Sequence, residues 1–241
     1  MRPIGDQRTG QVAPVAPPTP DAITVDSEPT HENVRTAVPP APPPPSSLKE
    51  ALARKKGGKA YSSHKVLVLF SGSYSRPDGL GAYLSSLGLI PIMIDNDAER
   101  GGDAAHDILN DNFFRSLLKR CASGEFLTVM AAPPCSTFSI SRFIDSPRSG
   151  GRGAPVVRTR KHIMGIPNVD PHHVRELLQA NETVRRMCVM LHVAHAAGSE
   201  FIIENPIDRG DPNRRSKFFH EDHGPLWCMP EMVTLVSVCD C

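Results

Sequence analysis

The sequence predicts an α/β fold in which a mostly parallel sheet carries helices on both faces. Short aliphatic runs without polar interruptions, such as "HKVLVLF" at 64–70, are typical of strands that are buried on both faces. Segments with apolar residues at helical spacing alternate with these runs along the chain. Such alternation is characteristic of proteins whose parallel strands are joined by helical crossovers.

The strands and helices are expected to follow one another from residue 64 onward. The predicted strands are 64–70, 90–95, 126–132 and 200–206. The predicted helices are 79–89, which closes at Gly88, then 108–121 and 174–197. The apolar face of the first helix comprises Leu80, Tyr83, Leu84 and Leu87, that of the second Phe113, Phe114, Leu117 and Leu118, and that of the third Val174, Leu177, Leu178, Val184, Met187, Cys188 and Leu191. The apolar segment that reaches "SVCDC" is interpreted as part of a strand.

The amino-terminal quarter of the chain differs in composition from the rest. Of the 24 prolines, 12 precede residue 46, and "PPAPPPPSS" occupies 39–47. Such a segment has too few apolar side chains to offset the entropy lost on ordering. We therefore expect residues 1–62 to be a disordered proline-rich arm and residues 63–241 to form the folded domain.

Composition also argues against several classes of protein. The net charge of +1 argues against general binding of polyanions, so any nucleic-acid surface must be local. No apolar run resembles a signal peptide or a membrane span. The 6 cysteines show no disulfide-framework spacing, which favours a reducing, intracellular location, nuclear in a eukaryote. His220, His223 and Cys228 match no zinc signature, so no metal site is expected.

Polar residues follow all four predicted strands. They are 71–75 after the first strand, Asp95 after the second, 133–136 after the third and 204–206 after the fourth. Ligands bind at the carboxyl ends of the strands in open parallel sheets. We therefore expect the functional site at this edge, where residues far apart in sequence meet.

Cys135 and Glu204 are the candidate catalytic residues at that edge. Pro133 and Pro134 restrict the backbone just before the cysteine, and hydroxyl side chains follow it, so the thiol is presented in polar surroundings as a nucleophile. Glu204 ends an otherwise apolar strand, which favours a functional role. Asp95 suits a ribose-binding role or, alternatively, caps the next helix. The "SGS" turn at 71–73 either approaches a ligand or is a plain tight turn.

The motifs "APPCSTFS", "IIENP" and "LFSGS" together resemble the cytosine-5 DNA methyltransferases. That family has a Pro-Cys nucleophile loop, a Glu-Asn strand end and a Phe-x-Gly-x-Gly cofactor turn, in the same order along the chain. The resemblance covers about residues 65–206. "RGAPVVR" and "HGPLW" make the chain similar to divergent members found in viruses and retroelements. The resemblance implies a Rossmann-like S-adenosylmethionine-dependent methyltransferase fold.

The resemblance also implies roles for individual residues. Asp95 would bind the cofactor ribose and Asp107 the adenine amino group. Cys135 would attack carbon 6 of a cytosine in DNA while Glu204 hydrogen-bonds and protonates ring nitrogen 3, and the target base would be flipped out or single-stranded. The remaining residues implied to contact S-adenosylmethionine are Phe70, Ser71, Gly72, Ser73 and Pro133.

A basic loop follows the candidate nucleophile. Between residues 136 and 165 there is one acid, Asp145, against six basic residues. Such a patch suits phosphate contacts or is a solvated flexible loop. The six candidate nucleic-acid contacts are Arg142, Arg148, Arg152, Arg158, Arg160 and Lys161.

The chain departs from the family pattern in three places. Ser73 replaces the second glycine of the cofactor turn, and the Gln-x-Arg-x-Arg segment is missing. We identify no target-recognition domain and no carboxy-terminal helix that completes the cofactor pocket. The alternative to an active methyltransferase is therefore a degenerate member of this fold that binds nucleic acid or protein partners, with the proline-rich arm as an interaction tail.

Overall fold

Four parallel strands form the centre of the fold, in the spatial order β2-β1-β3-β4. They are β1 (Lys65–Leu69), β2 (Ile90–Ile94), β3 (Thr128–Ala131) and β4 (Glu200–Ile203). This computed structural model describes residues 64–144, 153–214 and 217–239, so the predicted arm at 1–62 lies outside the described residues. The all-parallel sheet confirms the predicted α/β class.

The strand order places a switch point between β1 and β3. The chain runs from β1 outward to β2 on one side, then returns past β1 to build β3 and β4 on the other side. Leu69 is aligned with Ile94 on one neighbour and with Ala131 on the other, and Ala131 is aligned with Ile203. All four strands therefore end at the same height, and the residues after them share one edge of the sheet.

Strand β1 is buried because its two faces support two different cores. Leu67 and Leu69 belong to the larger apolar cluster on one face, and Val66 and Val68 belong to a smaller cluster on the other. This division follows from the alternation of side chains along a strand. It explains why "KVLVL" is continuously apolar.

The larger core is covered by three helices. Helix α2 (Asp111–Ala122) contributes Leu117 and Cys121, and the long helix α3 (Pro171–Ala196) contributes residues such as Met187 and Leu191. Asn110 caps α2 by accepting from the amides of Asn112 and Phe113, and Asp170 caps α3 by accepting from His172. These caps place the helix starts a few residues from their predicted positions.

The third helix on this face was not predicted from the sequence. Residues Pro230–Val238 form helix α4, whose buried residues are Met232 and Leu235. The interpretation of this segment as a strand is wrong. Its β-branched residues suit a strand by propensity, but Pro230 at the first helical position and packing against α3 favour the helix.

The opposite face carries a single described helix, α1 (Leu80–Ser86), which buries Leu84. Tyr83, expected on its apolar face, is 62% exposed, and Ile202 of β4 is 54% exposed on the sheet. Val174 and Leu178, expected on the buried face of α3, are also exposed. Within the described residues the two faces of the sheet are thus covered unequally, which helical periodicity alone could not indicate.

Candidate active site

The turn after β1 is tied directly to the end of β2. The backbone amide of Gly72 donates to Oδ2 of Asp95 at 2.8 Å, and the amide of Asp97 donates to Oδ1 at 2.8 Å. Phe70 and Gly72 both have positive φ, of 59° and 68°. A phenylalanine in this region is uncommon and costs free energy, so the fold holds this turn in a defined shape.

A tyrosine hydroxyl holds the backbone of Asp95 from the other side. Tyr74 Oη accepts from the amide of Asp95 at 3.0 Å and also lies 3.1 Å from its carbonyl oxygen. The same hydroxyl is 2.7 Å from Nδ1 of His106, whose ring stacks on Phe113. Asp95 is therefore fixed through both its side chain and its backbone.

These groups border a small recess at the ends of β1 and β2. It has a volume of about 80 Å³, and its polar lining includes Asp95, Asn96, His106 and Asp107. Its remaining lining residues are Phe70, Ile94, Ile108, Leu109, Pro134 and Thr183.

The chemistry of this recess fits an adenosine-containing cofactor. A carboxylate oxygen offers two acceptor sites, so each oxygen of Asp95 retains one beyond its backbone bond and can accept from a ribose hydroxyl. Asp107 uses Oδ1 to accept from the amide of Leu109, which leaves acceptor capacity for an exocyclic amine. A Cβ built on Gly72 meets no atom within 4 Å, so the turn leaves open space at this point.

Only some of the predicted cofactor residues line this recess. Phe70, Asp95 and Asp107 line the recess, whereas Pro133 does not and its neighbour Pro134 does. Pro133 is buried, and its carbonyl accepts a hydrogen bond from Asn205. Ser73 lies against the loop at Gly101, where an added Cβ would be 3.0 Å from Ser73 Oγ.

Cys135 lies in the turn that leaves β3. Its side chain is an exposed free thiol, and its carbonyl accepts from the amide of Phe138 to close a short 3-10 turn at Ser136–Phe138. Thr137 and Phe138 are buried beneath it. The turn thus anchors itself in the core while leaving the thiol in solvent, as a nucleophile requires.

Glu204 and Asn205 complete the site from the end of β4. The amide of Glu204 donates to the carbonyl of Ala131, which continues the pairing of β4 with β3. The Nδ2 amide of Asn205 donates to the carbonyl of Pro133 at 3.0 Å. The carboxylate of Glu204 is exposed, and within the described residues no hydrogen-bond or ion-pair partner is found for it.

A second recess, of about 130 Å³, lies beside Glu204 on the α1 face of the sheet. Phe70 is the residue that borders both recesses. The second recess is otherwise lined by Val68, Leu69, Ser71, Leu80, Met130, Ala131, Ala132, Ile202 and Glu204. One recess therefore has a carboxylate with mainly apolar neighbours, and the other has a set of polar acceptors.

Two of the predicted phosphate-binding arginines are structural. Arg158 is 1% exposed, and the side chain of Arg142 is 6% exposed, so neither is available to a phosphate in this conformation. Burial lowers the pKa of Arg158 to about 10, and the nearby charge of Arg142 acts in the same direction. The expectation that these two residues contact nucleic acid is wrong.

The other basic residues of the loop have different environments. Arg160 forms an ion pair with Asp208, and Lys161 is exposed. Arg148 and Arg152 lie outside the described residues. Of the predicted basic patch, Lys161 and the partly exposed Arg160 are the described cations at the surface.

Several residues of the site escaped prediction from the sequence. Asn205 stands in the "ENP" motif but had no assigned role, and Tyr74 and His106 lie in loops without a motif. Thr183 reaches the recess from α3, far along the chain from the strand ends, so only the fold brings it to the site. The one available signal was the concentration of polar residues after the strands.

Comparison with protein-family models, with curated proteins and with solved structures finds no match to this chain. Within the described residues, no helix is long and apolar enough to cross a membrane. The geometry of the strand ends therefore carries the functional argument.

Proposed function

We propose that this chain transfers a methyl group from S-adenosylmethionine to carbon 5 of cytosine in DNA. The observation that carries the proposal is the direct link between the two candidate catalytic segments, in which Asn205 binds the carbonyl of Pro133. This bond brings the residue after Glu204 to the loop that bears Cys135. The recess at Asp95 and Asp107 lies at the same sheet edge, and Phe70 borders both it and the recess beside Glu204.

Cys135 acts as the nucleophile in this proposal. Its thiolate adds to carbon 6 of the cytosine and forms a carbon–sulfur bond, while the electron pair of the 5,6 double bond moves toward carbon 5. Glu204, as the acid, donates a hydrogen bond and then a proton to ring nitrogen 3, which offsets the negative charge that develops on the ring. Carbon 5 would then bond to the methyl group that the cofactor supplies, while the bond between that group and the cofactor sulfur breaks and leaves a neutral thioether. When a base takes the proton from carbon 5, the 5,6 double bond re-forms, the thiolate of Cys135 leaves and nitrogen 3 returns its proton to Glu204.

The cofactor would be held by Asp95, Asp107 and the turn at Phe70–Gly72. When bound, it supplies an electrophilic methyl group on a sulfonium. Asp95 orients the ribose because its own position is fixed by Gly72, Asp97 and Tyr74. Phe70 borders the recesses on both the cofactor side and the base side, and the fold holds its strained backbone in place.

The target base must leave the helical stack to reach Cys135. Carbon 6 of cytosine is covered by neighbouring bases in duplex DNA, so the substrate is a flipped-out or single-stranded cytosine. Of the predicted basic residues, Lys161 and Arg160 are the described cations that remain for phosphate contacts.

Covalent trapping tests the proposal. The full chain is incubated with S-adenosylmethionine and oligonucleotides that carry 5-fluorocytosine, because fluorine at carbon 5 prevents release of Cys135. We expect an adduct that requires the cofactor, is lost in Cys135→Ala and persists in the matched variant Cys228→Ala. Failure of the wild-type protein to form an adduct on duplex or single-stranded DNA libraries, despite binding the cofactor, would refute methyl transfer to cytosine.

Binding without catalysis is the second candidate function, and the size of the Asp95 recess favours it. Ligand pockets for molecules of cofactor size measure about 300–1,000 Å³, whereas the recess measures about 80 Å³. A degenerate methyltransferase-fold module would bind nucleic acid or protein without S-adenosylmethionine. Calorimetric titration distinguishes the two functions, since the enzyme must bind the cofactor and the binding module need not.

A further inference from the structure

Three buried polar side chains converge on the turn that follows Cys135. The guanidinium of Arg142 donates from Nε to the carbonyl of Ser136 at 2.6 Å. Arg158 donates from Nη2 to Oγ1 of Thr137 at 2.9 Å. His223 lies with Nε2 2.9 Å from the carbonyl of Phe138. Each residue of the turn at Ser136–Phe138 is thus held by a different side chain.

These contacts come from three separate parts of the fold. Arg142 also donates to the carbonyl of Pro155 and forms an ion pair with Glu176 on α3. Arg158 donates to the carbonyl of Ile163, and its guanidinium carbon lies 3.9 Å from the centroid of the Phe138 ring. The turn is therefore connected both to α3 and to residues 155–163.

The third contact reaches the turn from the segment after β4. His223 is 1% exposed, and its Nδ1 accepts from the amide of Arg209 at 3.0 Å. Since Nδ1 is an acceptor, the neutral ring carries its proton on Nε2 and donates it to Phe138. Residues that follow Glu204 thereby help to hold the residues that follow Cys135.

The burial of Arg158 requires an explanation beyond packing. A buried charge is costly unless it is paired, and no hydrogen bond joins the Arg158 guanidinium to a carboxylate among the described contacts. Its Nε has no hydrogen-bond partner within the described residues. Arg158 contacts the carbonyl of Ile163 and the sulfur of Met229 outside the turn, and it binds Thr137 and stacks on Phe138 within the turn after Cys135.

We propose that Arg142, Arg158 and His223 are positioning residues for the Cys135 nucleophile. Together they fix the backbone of Ser136–Phe138, so that the exposed thiol keeps one orientation toward a base at Glu204. None of the three touches the reacting atoms. The inference rests on the proposed function, because a fixed thiol matters to the reaction in which Cys135 adds to carbon 6.

Thr137 gives the sharpest test because replacing it leaves all three buried side chains intact. Thr137→Val keeps the shape of the side chain but removes the acceptor for Arg158, whereas Thr137→Ser retains the hydroxyl. Thr234→Val, at an exposed position on α4, is the matched control. The measurements are the rate of 5-fluorocytosine adduct formation, the affinities for S-adenosylmethionine and DNA, and amide hydrogen exchange at Phe138.

We expect Thr137→Val to slow adduct formation by roughly 10- to 100-fold, since small displacements of a reacting group have effects of this size. The two affinities should stay within about twofold of wild type, because the variant leaves the binding residues in place. The amide of Phe138, which donates to the carbonyl of Cys135, should exchange faster. Thr137→Ser and Thr234→Val should match the wild-type protein in all three measurements.

Each contrary result has a distinct meaning. An unchanged adduct rate in Thr137→Val, or an equal loss of cofactor affinity and global stability, overturns the positioning role. If the wild-type protein forms no adduct, the proposed function fails. Hydrogen exchange then still tests whether the turn at Ser136–Phe138 is restrained. Faster exchange at Phe138 in Thr137→Val than in Thr137→Ser then supports the restraint of the turn by Arg158 through Thr137, and equal exchange overturns that restraint.

Discussion

The side-chain amide of Asn205 donates a hydrogen bond to the carbonyl of Pro133 at 3.0 Å. This bond joins the loops that follow β4 and β3, and it places the segment of Glu204 against the segment of Cys135. Asn205 Oδ1 is buried without a partner within the described residues, so the donor amide is the group that explains asparagine at this position.

Asn205→Asp is expected to lower the free energy of unfolding by about 1–3 kcal/mol, because it turns a donor into an acceptor that faces a carbonyl. Urea unfolding at pH 7 measures the change. Asn213→Asp, in an exposed turn, provides the control and should change stability by less than about 0.5 kcal/mol. Equal stabilities of the two variants would show that the bond to Pro133 contributes little.

Gly102 is expected to tolerate no side chain. A Cβ there would lie 2.5 Å from the carbonyl oxygen of Asp95, which belongs to the backbone and cannot move aside freely. Gly102→Ala should therefore destabilise the protein by about 1–3 kcal/mol and weaken cofactor binding. In the control Gly81→Ala, the new Cβ meets the flexible side chain of Met93, so cofactor affinity should be retained. Thermal unfolding and calorimetric titration check both variants.

Glu125 is expected to make stability depend on acidic pH. Hydrogen bonds from Arg120 and Lys65 lower the pKa of Glu125 to about 2. Its contribution is therefore complete above the ordinary glutamate pKa of 4.5 and is lost as pH falls toward about 2. Glu125→Gln should cost about 1 kcal/mol at pH 7, a value reduced for the partial exposure of these groups. The difference between variant and wild type should disappear near pH 2, as measured by urea unfolding across the range.

We expect the burial of neutral His223 to make the free energy of unfolding decrease as the solution becomes mildly acidic. Burial lowers its pKa below the usual 6.5, and Arg160 acts in the same direction, while Phe138 and Asp208 oppose the shift. The neutral ring is favoured in the fold, so stability is present above pH 6.5 and falls as the unfolded chain takes up the proton. Unfolding of wild type and His223→Gln at pH 7.5 and 5.5 tests this. The variant should lose less stability than wild type, and His192→Gln, at an exposed position, should behave like wild type.

The described cysteines are expected to differ in reactivity. Burial raises the pKa of Cys121 to about 11 and that of Cys188 to about 12, whereas Cys135 is exposed. Because the thiolate is the reactive form and must be accessible, iodoacetamide at pH 8 should modify Cys135 first, by about 10-fold or more. Peptide mass spectrometry resolves the sites. Modification of Cys121 or Cys188 at the same rate as Cys135 would contradict the described burial.

The sequence predicted the strands well because their apolar runs depend only on local composition. All four were found with ends shifted by up to a few residues, and the polar residues after them do meet at one edge of the sheet. Helix α4 was missed because the β-branched residues of Pro230–Val238 favour a strand locally, and contact with α3 overrides that preference.

The basic loop shows the opposite case, in which composition was misleading. Arg142, Arg158 and Lys161 look alike in sequence as cations near a nucleophile. In the fold, Arg142 pairs with Glu176 and Arg158 stacks on Phe138, while Lys161 is exposed. Their partners lie in other segments of the chain, so no local pattern distinguishes a phosphate contact from a structural support.

Strand periodicity and the polar residues after each strand are local properties, so the order of residues was sufficient to predict the α/β class and to place Cys135, Asp95 and Glu204 at strand ends. Three contacts became known only from the folded chain: Asp95 binds the Gly72 amide, Asn205 binds the Pro133 carbonyl, and buried Arg158 donates to Thr137. Each of these contacts joins residues more than 20 positions apart. Long-range hydrogen bonds depend on where the packed sheet and helices place their donors and acceptors, which the order of residues along the chain does not reveal.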